Sequence, residues 1–127
     1  MIFGIGTDVV QIERIRRLHG KYGERFVEHL LLPAERQALL EQGRPDRFLA
    51  MRFAAKEAIV KAMGTGFAQG MWIRDVGVVS NELGRPDIVW SERGRQLCEK
   101  LGIGEGHITL TDEAGLAVAV AVLMRRT

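Results

Sequence analysis

The sequence predicts an α+β fold with a mainly antiparallel sheet packed against one long central helix. Three observations support this prediction. Apolar residues alternate with small or polar ones at both ends of the chain, two strand–turn–strand patterns follow residue 72, and an apolar stripe with helical spacing ends at residue 63. The length of 127 residues suits one domain, covering residues 1–127, without a linker.

The N-terminal half reads as one strand followed by four helices. A strand over Met1–Val10 leads into a helix over Gln11–His19, and Gly20 is expected to end that helix. The other expected helices are Glu24–Leu31, Pro33–Gln42 and Asp46–Met63.

The C-terminal half reads as two hairpins separated by a helix. Asn81–Arg85 is a turn, and Ser91 is a suitable N-cap for the helix that follows. Alanines and larger apolar residues alternate in the last strand, so burial on both of its faces is expected. The expected elements are the strands Trp72–Ser80 and Pro86–Trp90, the helix Glu92–Leu101, and the strands His107–Thr111 and Leu116–Met124.

Composition narrows the class of protein. Hydrophobic residues make up 46% and charged residues 27% of the chain, which argues against both disorder and membrane spans. The net charge of +2 is too small to predict nucleic-acid binding by itself. The single cysteine, Cys98, excludes an internal disulfide and is expected to be a buried thiol. The N-terminus lacks the pattern of a secretory signal, so a cytoplasmic location is expected.

Asp8 is an anomaly within the first strand. Aspartate is depleted in strands, and Asp8 shares its face with Gly4 and Gly6, so no bulky side chain crowds it. Asp8 therefore either caps the following helix or presents a carboxylate to a cleft.

The stretch Arg52–Gly66 contains the clearest departure from the amphipathic pattern of a helix. Lys56 projects into an apolar stripe, while Glu57 and Lys61 lie side by side at its edge, beside alanines that leave room for another group. Glu57 and Lys61 form either a surface ion pair or part of a site. The residues Gly64–Gly66 either cap the helix or set backbone N–H groups against a phosphate.

This inventory suits phosphoryl transfer. Mg²⁺ prefers oxygen ligands and commonly takes only one or two protein carboxylates, which Asp8 and Glu57 supply. The metal and Lys61 would neutralise charge on the transferred phosphoryl group and its leaving group.

A basic surface is predicted on the first helix and just beyond it. It is either a solvated helix face or a docking surface for an acidic partner. RNA binding is less favoured, because only Tyr22 and Phe26 lie near enough to stack on bases. The residues of this surface are Arg14, Arg17, Lys21 and Arg25.

Four segments together resemble the holo-acyl-carrier-protein synthases, the small class of 4′-phosphopantetheinyl transferases. They are GIGTDVVQIERI, RFAAKEAIVKAMGTGF, the Gly84-Arg85-Pro86 turn and HITLTDEAGLAVAVAV, so the similarity covers nearly all the chain. The resemblance implies Mg²⁺-dependent transfer of 4′-phosphopantetheine from coenzyme A to a serine of apo acyl carrier protein, releasing adenosine 3′,5′-bisphosphate. It also implies a homotrimer that binds coenzyme A between neighbouring subunits.

The resemblance also assigns residues. It implies that Asp8 and Glu57 are metal ligands, that Glu57 and Lys61 are catalytic, and that the basic surface contacts the acidic carrier protein. His107 and the Gly84–Pro86 turn would come from the adjacent subunit, although His107 is otherwise an ordinary strand residue. Some members have Ser-His where this chain has Thr111-Asp112. The implied cofactor-binding residues are Arg52, Lys61, Gly64, Thr65, Gly66, Gly84, Pro86, His107 and Thr109.

Two other functions remain open at this stage. One is a Mg²⁺-dependent hydrolase of a nucleotide diphosphate, and the other is a non-catalytic module that binds an acidic partner. The general base is also open between a metal-bound water, Glu57 and a carboxylate of the carrier protein. Lys56 is expected to extend along the apolar stripe to solvent or to hold a charge across a subunit interface.

Overall fold

Within residues 1–68 and 70–127, which the computed structural model describes, the chain forms two antiparallel sheets and five α-helices. The predicted α+β class is therefore confirmed. A 3-10 helix, Ile73–Asp75, precedes the second strand. The elements in chain order are β1 (Ile2–Gln11), α1 (Ile12–Tyr22), α2 (Glu24–Leu30), α3 (Pro33–Leu39), α4 (Pro45–Met63), β2 (Val76–Ser80), β3 (Pro86–Trp90), α5 (Glu92–Leu101), β4 (Ile103–Glu113) and β5 (Leu116–Arg125).

The larger sheet has the strand order β1-β5-β4, so the last strand lies in the centre. Asp8 on β1 is opposite Ala119, and Thr109 on β4 is opposite Val120. β2 and β3 form a separate hairpin. As a consequence, residues predicted for one site lie on the two outer strands of the sheet, with β5 between them.

The long helix α4 packs across one face of this sheet. Leu49 and Ile59 of α4 are fully buried in the core. On β5 the alanines face α4 and are buried, whereas the valines that alternate with them are only half-buried. The prediction that both faces of this strand are buried is wrong for the single chain, because nothing within residues 1–68 and 70–127 covers the valine face completely.

Several predicted boundaries are wrong for local reasons. α1 continues through Gly20 and ends at Gly23, whose φ is 58° and whose N–H donates to the His19 carbonyl at 2.8 Å. Residues 72–75 do not continue a strand, because the Asp75 carboxylate accepts a hydrogen bond from the Trp72 N–H at 2.9 Å. α3 ends at Leu39, three residues before the prediction, and β4 begins four residues earlier than predicted.

The predicted bounds of α5 are confirmed at both ends. The Ser91 hydroxyl oxygen accepts a hydrogen bond from the Gly94 N–H at 3.0 Å, and Gly102 ends the helix with φ of 82°. Cys98 lies buried on this helix, and burial raises the pKa of its thiol to about 11. No helix in the described part of the chain combines the length and the apolar character needed to cross a membrane.

Candidate functional site

The backbone of β1 lies against the backbone of α4. A Cβ atom on Gly6 would stand 2.0 Å from the Ala58 carbonyl oxygen, and one on Gly4 would stand 1.9 Å from the Ala62 carbonyl oxygen. Any side chain at these two positions would force the strand away from the helix. The space beside Ala58 and Ala62 is therefore occupied by the sheet. The expectation that small side chains on α4 leave room for a ligand is not met there.

Asp8 lies on the same face of β1 as these glycines and points towards α4. The Lys61 Nζ donates hydrogen bonds to the Asp8 carboxylate at 3.0 Å and to the Thr7 carbonyl at 3.1 Å. The Asp8 side chain is 16% exposed and the Lys61 side chain is 51% exposed. Asp8 does not cap α1, since Gln11 holds the N-cap position without a side-chain hydrogen bond. The lysine is thus bound to the strand and not to Glu57 one turn earlier.

Glu57 is half-buried beside this pair. Burial raises the pKa of its carboxyl, and the negative charge of Asp8 raises it further, while Lys61 and Arg14 oppose the shift. Two carboxylates that repel each other form a place where a divalent cation is favoured. The three side chains together are called the carboxylate site below.

The donors of the carboxylate site fit Mg²⁺. Residues 1–68 and 70–127 contain no group of three His, Cys, Asp or Glu side chains that could hold a metal on its own. Mg²⁺ is commonly held by one or two carboxylates and completes its coordination with water and phosphate oxygens. Asp8 and Glu57 would then hold the ion only together with a phosphate-bearing substrate.

The glycine turn after α4 is a helix cap. Gly64 has φ of 82°, and its N–H donates to the Lys61 carbonyl at 3.1 Å. The N–H groups of Thr65 and Gly66 donate to the Val60 carbonyl at 3.3 and 3.2 Å. All three N–H groups therefore donate within the cap, as the capping alternative predicts. The phosphate-binding alternative stays a prediction.

Four of the other cofactor-binding residues predicted from the sequence lie away from the carboxylate site. They line a cavity of about 320 Å³ between the N-terminal half of α4, the β2–β3 turn and β4. These residues are Arg52, Gly84, Pro86 and Thr109. His107 and Pro86 also line a smaller neighbouring cavity of about 260 Å³. The predicted cofactor residues therefore fall into two groups, one beside β1 and the other beside β4.

Arg52 gives the larger cavity a buried positive charge. Its guanidinium lies 4.3 Å from the centre of the Phe48 ring, and its Nε is 3.9 Å from the Glu35 carboxylate. Among the residues that the structure describes, that Nε has no hydrogen-bond partner, although Arg52 is only 7% exposed. Burial lowers the pKa of Arg52, and Glu35 partly offsets this effect. Arg47 lines the same cavity and is held by Asp112 at 2.6 Å.

A family model described as the 4′-phosphopantetheinyl transferase superfamily matches residues 4–121. The chain belongs to this superfamily. The holo-[acyl-carrier-protein] synthase of Nitrosococcus oceani is 44% identical over 124 residues, which are 98% of this chain and 80% of that protein. The predicted family is therefore confirmed.

Solved structures of transferases from this superfamily share the fold. The crystal structure of holo-[acyl-carrier-protein] synthase from Neisseria meningitidis matches with a TM-score of 0.93 at 37% identity, covering 98% of this chain and 100% of that chain. The Helicobacter pylori enzyme, crystallised in complex with coenzyme A, matches with a TM-score of 0.83 at 27% identity, covering 94% and 98%.

The basic surface of this transferase lies next to its carboxylate site. Arg14 on α1 is 5.7 Å from the Phe53 ring on α4 and lowers the pKa of Glu57. Arg25 borders an apolar groove of about 340 Å³, which Phe26 also lines. Arg17 and Lys21 are exposed on the same helix as Arg14. The surface and the site are thus contiguous.

The sequence did not predict the partner of Lys56. Both Lys56 and Glu35 are fully buried, and the Lys56 Nζ lies 2.8 Å from the Glu35 carboxylate. Burial lowers the pKa of Lys56, while Glu35 opposes that shift. The expectation that Lys56 reaches solvent or a subunit interface is wrong. A lysine within an apolar stripe was a signal that an internal acid exists, because buried charges require partners.

Proposed function

We propose that this chain transfers the 4′-phosphopantetheine group of coenzyme A to a serine of apo acyl carrier protein. The serine oxygen would form a bond to the β-phosphorus, and the bond to the leaving phosphate oxygen would break. The products would be holo carrier protein, adenosine 3′,5′-bisphosphate and the released proton. The observation that carries this proposal is the carboxylate site, two adjacent carboxylates and a lysine in a member of the transferase superfamily.

Asp8 and Glu57 are the residues that would hold Mg²⁺, and the ion would neutralise charge on the diphosphate. Lys61 is half exposed and carries a flexible ammonium, so it can exchange its bond to Asp8 for one to a phosphate oxygen. Lys61 would then stabilise the leaving group. The glycine turn would contact the nucleotide, with its N–H groups also donating within the cap.

Coenzyme A would bind between two copies of the chain. The carboxylate site includes Asp8 on β1, whereas the cavity lined by Arg52, Gly84, Pro86 and Thr109 lies beside β4, with β5 between the two strands. A second copy of the chain would bring the two kinds of residue to one ligand. The positive charge of Arg52, which lines that cavity, suits a phosphate there.

A homotrimer is the assembly that we propose. The sheet face opposite α4 is apolar and incompletely covered: Ile5 is 62% exposed and Val9 is 56% exposed, beside the half-buried valines of β5. Contiguous exposed apolar surface of this kind is typical of interfaces, and closed symmetric rings bury it without leaving a free edge.

The carrier protein would dock on the basic surface. Acyl carrier proteins are acidic, and Arg14 stands between this surface and Glu57. Docking there would bring a serine of the partner to the carboxylate site. Charge contacts of this type raise the encounter rate and depend on salt.

Mass spectrometry of apo acyl carrier protein incubated with the chain, coenzyme A and Mg²⁺ tests the proposal. The expected result is a mass gain equal to one phosphopantetheine group, lost on chelation and restored by Mg²⁺. Cleavage of coenzyme A at the same rate without carrier protein would favour a hydrolase instead. Light scattering at the same concentration tests the trimer.

A further inference from the structure

The Lys56 side chain ties α4 to two separate segments of backbone. Its Nζ donates hydrogen bonds to the carbonyl of Leu30, at the end of α2, and to that of Ile73, at 3.3 Å. The third partner is the Glu35 carboxylate. All the capacity of the ammonium is therefore used within the protein.

Glu35 contacts the same connection between α2 and α3 and adds β2. Its carboxylate accepts hydrogen bonds from the Leu32 N–H, before α3, at 3.0 Å and from the Val78 N–H of β2 at 2.9 Å. Gly77 closes the site around it, since a Cβ there would lie 2.9 Å from the carboxyl carbon. One buried pair thus joins four backbone groups to α4: two in the connection between α2 and α3, one at Ile73 and one on β2.

A contribution to stability alone does not require such a pair. Desolvation of two buried charges offsets much of their attraction, and apolar side chains of similar volume often replace such a pair without loss. Directional hydrogen bonds constrain the rotation of α4 further, on the side away from its close contact with Gly4 and Gly6 of β1. Glu57 follows Lys56 directly, about 100° further round the helix.

We propose that Glu35 and Lys56 are a positioning pair, which fixes the rotation of α4 so that Glu57 faces Asp8. The pair also holds Ile73, at the far end of the segment that follows the glycine turn, against the same helix. Neither residue contacts substrate. This inference rests on the function proposed for Glu57.

The test compares three proteins by kcat and KM at a temperature where each is folded: wild type, the double variant Glu35→Leu/Lys56→Met, and the control Ile103→Ala. The double variant removes both charges of the pair. It also removes the carboxylate that lies 3.9 Å from the Arg52 Nε, so the KM for coenzyme A is measured beside the KM for carrier protein. Ile103 is fully buried at the start of β4, away from the carboxylate site, so its replacement lowers stability without moving α4.

The double variant is expected to fold and to lose at least about tenfold in kcat, because small displacements of reacting groups are costly. Its KM for carrier protein should stay within about twofold of wild type, since the basic surface is unchanged. Ile103→Ala should keep wild-type kcat despite a lower melting temperature. Amide resonances of Asp8 and Lys61, neither of which is adjacent in sequence to a substituted residue, should shift in the double variant and not in the control.

A double variant with wild-type kcat and unshifted resonances would overturn the positioning role. A double variant that does not fold would also overturn it, because the pair would then serve the fold. Absence of transfer by the wild-type protein would instead refute the proposed function, and the resonance shifts would still report the positioning.

Discussion

Two acid–lysine pairs lie on different sides of α4, and they differ in how completely their polar atoms are satisfied. Glu35 and Lys56 are fully buried, and every partner they need is supplied by the protein. Asp8 and Lys61 are partly exposed, and Glu57 beside them has a raised pKa. Both pairs are charged, so charge alone does not identify a ligand site. Only Asp8 and Lys61 are accessible to solvent and can exchange their partners for a ligand.

The largest expected effect is on the buried pair. Lys56→Met should lower the free energy of unfolding by about 3 to 5 kcal/mol, because it leaves the Glu35 carboxylate buried without the lysine that neutralises it. Urea denaturation at pH 7 measures this loss. Lys100→Met, at an exposed position of α5, is the control and should change the free energy by less than about 0.5 kcal/mol. If Lys56→Met and Lys100→Met lowered the free energy of unfolding equally, the buried pair would not have the structural role given to it here.

At the carboxylate site, substitution should lower the rate of transfer and leave the stability of the fold unchanged. Glu57→Gln should reduce the rate of transfer by at least about 100-fold, because it removes a charge that would hold Mg²⁺ at the diphosphate. Its melting temperature should remain near that of wild type, since the side-chain volume is kept. Initial rates from mass spectrometry and a thermal scan measure both quantities. Glu99→Gln on α5 is the matched control, and near wild-type transfer by Glu57→Gln would remove Glu57 from the site.

A smaller effect, on the KM for carrier protein, is expected where the basic surface meets the carboxylate site. Arg14→Glu should raise the KM for carrier protein by about tenfold and leave the KM for coenzyme A unchanged. The difference should shrink at high salt, because exposed charges are screened. Steady-state kinetics at two salt concentrations test this expectation, with Lys100→Glu as control. A carrier-protein KM equal to that of wild type would count against docking at this surface.

The smallest effect concerns the stability contributed by the exposed pair. Lys61→Met should change the free energy of unfolding by less than about 1 kcal/mol, because a half-exposed ion pair gains little over its hydration. The urea experiment used for Lys56→Met gives the direct comparison. A loss as large as that of Lys56→Met would mean that both pairs are structural.

Local signals predicted much of the fold. α5 was predicted at both ends because Ser91 and Gly102 act on their own neighbours, through a side-chain hydrogen bond and a left-handed φ. The end of α1 was predicted wrongly at Gly20, because glycine is tolerated within a helix. Whether the helix ends at Gly20 or at Gly23 depends on how the chain enters α2. Whether a segment is a helix or a strand is thus more predictable than the residue at which it ends.

The candidate site was predicted less completely than the fold. Asp8 and Glu57 could be singled out because each departs from its local pattern. The partner of Lys61 could not, since the spacing to Glu57 suggests a local ion pair while the observed contact with Asp8 joins residues 53 positions apart. Glu35 was missed for the same reason, because its contact with Lys56 exists only when α3 packs beside α4.

The glycines of β1 have a consequence for how mutational data on this protein would be read. Gly4 and Gly6 carry no functional group, yet a single methyl at either position would press on the helix backbone and move Asp8 relative to Glu57. A saturation screen scored by activity would place Gly6 among the most sensitive positions of the chain. Intolerance to substitution there would report the clearance between a strand and a helix, and it should not be taken as evidence of contact with substrate.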